Sequence, residues 1–271
     1  MKLAGNFIAG LATAAALVAA PAAQAACPGA NGRIAFERSV GGTYRSSAQI
    51  FGVCPGGKGE ALLAAPRGDL PTAPSFSADG RRLVFERQSR LGYGTIQIAR
   101  ADGSGERTVP GDGHHPSLAP DGSRLALDSG GALWTESLDG SRRTRLTTGT
   151  DPEWSPDGRR IAFVRDGDLY VIRLSGGAER RLTSDGGNAG PSWSPAGNAL
   201  AFWHASLSTI AVETIGAGGA HRRKLAAGTQ PAWSPDGAQI AYAGNGGVWS
   251  MRPDGSRKRL LVRDAFMPAW G

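Results

Sequence analysis

Along this chain, short apolar runs recur at nearly constant spacing, separated by clusters of Pro, Asp, Ser and Gly. The clearest marker is a proline followed two residues later by an aromatic residue or leucine: Pro74-Ser75-Phe76, Pro116-Ser117-Leu118, Pro152-Glu153-Trp154, Pro191-Ser192-Trp193, Pro231-Ala232-Trp233 and Pro268-Ala269-Trp270. Successive prolines lie 42, 36, 39, 40 and 37 residues apart, a period that belongs to repeat architectures. Each copy except the last runs into a turn, most legible in Ser155-Pro156-Asp157-Gly158 and Ser234-Pro235-Asp236-Gly237. Pro presets φ at the first turn position, Asp bonds its own backbone, and Gly accepts positive φ. The turn therefore predicts a tight hairpin between antiparallel strands.

A second apolar run follows at a fixed offset: Leu83-Val84-Phe85, Leu125-Ala126-Leu127, Ile161-Ala162-Phe163, Leu200-Ala201-Phe202 and Ile240-Ala241-Tyr242. Unbroken apolar character over so few residues predicts strands buried on both faces. A third run (Ile96-Gln97-Ile98, Leu169-Tyr170-Val171, Val248-Trp249-Ser250 and their equivalents) leads into a second turn such as Asp139-Gly140-Ser141. A fourth strand ends the repeat, as in Arg145-Leu146-Thr147 or Arg259-Leu260-Leu261. Four strands in about 40 residues make one propeller blade. The repeats are out of phase with the ends of the chain. Asn31-Gly32-Arg33-Ile34-Ala35-Phe36 is already a second strand, and Met267-Pro268-Ala269-Trp270-Gly271 is a lone first strand. Joined, they complete one more blade. The fold class is thus all-β: a six-bladed β-propeller, with four antiparallel strands per blade and the ring closed by the C-terminal strand.

The pattern Pro-x-Trp-Ser-Pro-Asp-Gly-x-x-Ile-Ala-Phe, most regular at 152–163 and 231–242, resembles the propeller repeat of the TolB family. The resemblance covers residues 31–271, the propeller domain alone, with departures at Ala78, at Leu118-Ala119 and at Ala196. It implies an envelope protein that acts by holding a protein partner.

The residues ahead of the repeats change the picture of where the chain works. A basic start at Lys2, an apolar stretch from Phe7 to Ala20 and small residues at Ala23-Gln24-Ala25 read as a secretory signal peptide over 1–25. The mature protein is then a single domain over 26–271, periplasmic or extracellular and not integral to a membrane, since the apolar stretch is shorter than a comfortable bilayer span. The only cysteines, Cys27 and Cys54, fall in the first blade of an exported chain and are expected to pair. Two thiols without nearby histidines do not make a closed metal site. Lipid attachment at Cys27 is disfavoured because Gln24 stands where a lipobox places leucine.

The formal charge of +7 falls to +6 once Lys2 is removed with the signal peptide. The positive charge is patterned: Arg142, Arg143, Arg180, Arg181, Arg222, Arg223, Lys224, Arg257, Lys258 and Arg259 all stand around the start of a fourth strand. Charges on outer strands discourage edge-to-edge aggregation. The same belt would attract an anionic envelope polymer or an acidic partner. Nucleic acid is not expected as a partner, because the chain is exported and aromatic residues do not alternate with the basic ones.

Candidate chemistry is sparse. The turn residues Asp79, Asp121, Asp157 and Asp236 are each explained by their own turn. Trp154, Trp193, Trp233, Trp270 and Trp249 recur within the repeat, as packing between blades demands. His115, Asp151 and Gln230 each stand immediately before a marker proline, and Glu153 immediately after one. These four are the candidate ligand-binding residues, gathered at one mouth of the central channel, where solvation of a water-filled channel is the competing explanation. No nucleophile elbow, zinc-protease helix or phosphate loop occurs. No catalytic residues, resident metal or cofactor are expected. The reading is a monomeric, non-catalytic protein-interaction scaffold, with a carbohydrate-binding or carbohydrate-active propeller (lyase or hydrolase) as the alternative.

Overall fold

The computed structural model describes residue 27 and residues 32–40, 48–89 and 94–271; the signal peptide expected over 1–25 lies outside them. The described residues form six four-stranded antiparallel sheets arranged as blades. Five blades use four consecutive strands. The first blade is composite, with the C-terminal strand Phe266–Trp270 innermost against Ile34–Ser39, followed by Ala48–Val53 and Ala61–Ala64. Closure is double, because the Arg33 N–H donates to Gly271 O (2.6 Å) and the Gly271 N–H donates to Arg33 O (3.0 Å). Ring closure leaves only short, protected sheet edges.

The second strand of each blade is the most buried, as its unbroken apolar run requires; Leu83, Val84 and Phe85 are all at most 1% exposed. Hydrophobic clusters form between blades rather than within them. Ala126 and Leu133 of the third blade meet Trp154, Ile161 and Phe163 of the fourth. Ala241 and Val248 of the sixth meet Ile34, Phe36 and Trp270 of the first. The marker aromatics occupy these seams, and the Trp193 indole N–H donates to Glu153 O of the preceding blade (3.1 Å). Cys27 and Cys54 are joined by a disulfide, which anchors the start of the chain to the first blade. Among the described residues, no helix is long and apolar enough to cross a membrane.

Because neighbouring strands alternate in direction, the turns between strands one and two and those between strands three and four emerge at the same end of every blade. The Leu174 N–H bonds to Arg159 O and the Ala101 N–H to Arg81 O, stitching the two turns together (3.0 and 2.8 Å). The propeller therefore has a turn face, carrying the repeated Asp-Gly turns, and an opposite mouth face, where the innermost strands begin.

Candidate functional site

The six innermost strands enclose a channel of about 470 Å³. Each begins with an irregularity of register just before or at its marker proline, as between Thr72 and Ser75 or between His114 and Ser117. The residue preceding the proline adopts a left-handed conformation in all six blades: Ala73 (φ 49°), His115 (48°), Asp151 (51°), Gly190 (57°), Gln230 (51°) and Met267 (49°). Such backbone is uncommon away from glycine and has to be held by its surroundings. Together these residues form one ring at the mouth.

Side chains from the neighbouring blade hold that ring. The Ala73 N–H donates to Glu37 Oε1 (2.7 Å), and the Asp151 N–H to Asp128 Oδ1 (3.2 Å). The Gly190 N–H donates to Asp151 Oδ2, and the Met267 N–H to Gln230 Oε1 (3.3 Å each). The candidate residues Asp151 and Gln230 thus already serve the backbone of the next blade. The acids that sequence reasoning missed are Glu37, Glu86 and Asp128, which follow the second-strand runs and are nearly fully buried at 0%, 2% and 6%.

His115 lies between two of these carboxylates, its Nδ1 2.9 Å from Asp128 Oδ1 and 3.3 Å from Asp151 Oδ1. Burial disfavours the charged ring, but the Asp128 hydrogen bond and the charges of Asp151, Asp128 and Glu86 outweigh it and raise the pKa to about 9. The ring is 45% exposed and lines the channel. His114 bonds Glu86 Oε1 beside it (2.7 Å). The donor atoms of His115, Asp128 and Asp151 lie within 4.8 Å of one another, a set that could hold a cation. Glu153 sits deeper in the channel wall. Burial pushes its carboxyl up to about 7, opposed only by the Ser117 hydroxyl.

Other groups along the channel are committed to the fold. The Ser117 and Ser192 hydroxyls accept the backbone N–H of Trp154 and Trp233 from the following blades (3.1 and 3.2 Å). The turn aspartates bond within their own turns; the Ser77 hydroxyl and the Arg81 N–H hold the Asp79 carboxyl below its ordinary range. A protonated His115 is no general base at neutral pH.

The two faces differ chemically. The basic residues around the fourth strands divide into two sets. Three form ion pairs with acids, some of them beside the starts of inner or third strands: Arg143 with Glu136 and Asp112, Arg181 with Asp168, and Arg222 with Glu213 and Asp185; Arg259 donates to Gly56 O (3.1 Å). The mouth face carries Asp112, Asp166, Asp185 and Asp264 around the channel acids. Among the described residues, three of the four exposed large apolar side chains also lie at this end: Val40 (48%), Leu207 (111%) and Ile210 (49%). Leu207 tips the hairpin between Ala199–Ala205 and Ile210–Gly216.

Comparison with known proteins agrees with this architecture. The family described as the TolB beta propeller domain matches residues 107–271. No curated protein matches the chain. Among solved structures, TolB from Acinetobacter baumannii is 21% identical with a TM-score of 0.76, over 88% of this chain and 66% of its own. The chain therefore spans slightly less than two thirds of that protein. A putative TolB from Agrobacterium tumefaciens is 20% identical with a TM-score of 0.65, over 85% of this chain and 88% of its own. An oligogalacturonate lyase in complex with manganese is 14% identical with a TM-score of 0.52, over 72% of this chain and 68% of its own. At these identities the likeness is one of fold.

Proposed function

The chain belongs to the TolB beta propeller domain family, and from that premise we propose that it is an exported, non-catalytic scaffold that holds a protein partner on its mouth face. The observation that carries this reading is the coincidence, at one end of the ring, of an acidic channel mouth and exposed Leu207, Ile210 and Val40. Apolar side chains grouped within a polar rim mark protein-binding surfaces, and Leu207 and Ile210 stand together on one hairpin. The acidic mouth suits a partner segment that carries positive charge, with His115, Asp151, Glu153 and Gln230 as the groups it meets. In this reading residues 1–25 direct export, residues 26–271 act as one monomeric domain in the periplasm or outside the cell, and no cofactor takes part.

Affinity capture from envelope extract with residues 26–271, compared with a Leu207→Ser/Ile210→Ser variant, tests the proposal. Enrichment of one or two proteins that resists moderate salt and is lost in the variant is the expected result. Equal capture by both would overturn the mouth-face assignment.

A carbohydrate ligand is the second reading, favoured by one feature: burial in the channel wall pushes the Glu153 carboxyl up to about 7, a range that suits a general acid for glycan cleavage. Recovery of glycan alone, especially fragmented glycan, would favour this reading over the scaffold.

A further inference from the structure

The turn face is as distinctive as the mouth and chemically its opposite. Arg142, Arg159, Arg223, Arg252 and Lys258 are all exposed there, spread over the third to sixth blades. None of the five forms an ion pair among the described residues. The acidic groups at this end are chiefly the turn aspartates, and their carboxylates point back onto their own turns: Asp157 accepts from the Ser155 hydroxyl and the Arg159 N–H, and Asp236 from the Ser234 hydroxyl and the Ala238 N–H. At the mouth face, by contrast, Arg38 and Arg87 are paired with Glu60, Asp69 and Glu106, while Asp166 and Asp264 are exposed.

We propose that the turn face is a docking surface for a planar anionic lipid surface, which the propeller meets turns-first with its channel mouth turned away. Geometry favours a surface over a single polymer strand. The cations are distributed around the ring at one end of every blade from the third to the sixth, so a plane meets them together, whereas a chain would follow one line of them. No exposed large apolar residue lies among the turns within the described residues; Leu62 is mid-strand on the rim. The attachment is therefore electrostatic, without insertion, and reversible by salt within a Debye length.

The test is co-sedimentation of residues 26–271 with phosphatidylcholine vesicles, with and without phosphatidylglycerol. Binding is expected only to the anionic vesicles, with release as salt rises. Each neutralised cation near the surface lowers partitioning about fivefold, so Arg159→Gln/Arg223→Gln/Arg252→Gln should bind about 100-fold more weakly. Arg67→Gln/Arg263→Gln, which removes positive charge at the opposite end, should bind as the parent does. So should Leu207→Ser/Ile210→Ser, which separates this proposal from the partner-binding reading of the mouth. Thermal unfolding confirms that each variant folds, and the salt titration of the unaltered chain stands apart from any variant. Equal binding to neutral vesicles, equal loss per charge from either face, or variant-sensitive binding of soluble dextran sulfate with no vesicle binding would each overturn the proposal.

Discussion

Replacing Glu37 by leucine removes the carboxylate that ties the first blade to the second. Glu37 is fully buried and accepts from the Thr72 hydroxyl and the Ala73 N–H, both at 2.7 Å. Ala73 is one of the left-handed ring residues, with φ 49°. Hydrogen bonds to a charged group contribute about 1.5–3 kcal/mol each, and a buried donor left without a partner adds its own desolvation penalty. Leucine returns about 1–2 kcal/mol of apolar transfer. The net loss is about 3–4 kcal/mol. Glu37→Gln retains an oxygen for the Ala73 N–H and gives up only the charge, about 1 kcal/mol. Urea unfolding followed by tryptophan fluorescence measures both, provided the denaturant slope is unchanged between variants. If leucine cost under about 1 kcal/mol, or glutamine cost as much as leucine, the carboxylates would not be what holds the ring.

Three further outcomes follow from the same contacts. Reducing the Cys27–Cys54 disulfide reopens a loop of 27 residues and should lower stability by about 3–4 kcal/mol, read as a drop in Tm with dithiothreitol that Cys54→Ser does not show. Glu153, an acid raised from 4.5 to about 7, weakens the fold as pH climbs from 4.5 to about 7, because the unfolded chain ionises first. Glu153→Gln should therefore match the parent at about pH 4 and exceed it by about 2–3 kcal/mol at about pH 8; a pH-independent difference would contradict this. His115, raised from 6.5 to about 9, stabilises fully below 6.5 and loses that contribution as pH rises toward 9. Its exposure to channel water limits the effect to about 1 kcal/mol, seen as convergence of the parent and His115→Gln in denaturant midpoint at about pH 10.

The blade grammar was legible because each strand and turn rests on local chemistry repeated several times over. Ser-Pro-Asp-Gly specifies a turn wherever it stands, and the unbroken Ile-Ala-Phe run specifies burial on both faces. Ring closure was legible from the phase of Ile34 and Trp270. The mouth was only half visible. His115, Asp151 and Gln230 share a position in the repeat, but a residue before proline is ordinarily extended, so nothing local announced the left-handed ring. Glu37, Glu86 and Asp128 looked like polar ends of strands, because their partners, Ala73, His114 and Asp151, sit on the next blade 23 to 36 residues away. The charge division between the faces was hidden for a different reason. The basic residues were placed on outer strands by their sequence position, whereas it is strand direction that brings the starts of all the fourth strands to one end.

Site-specific photocrosslinking in the native envelope shows whether the mouth face receives the partner. A photoreactive side chain at Leu207 should trap a discrete protein partner, and the same group at Arg159 on the turn face should not. A protein adduct from position 159 with none from 207 would put the partner on the turn face instead.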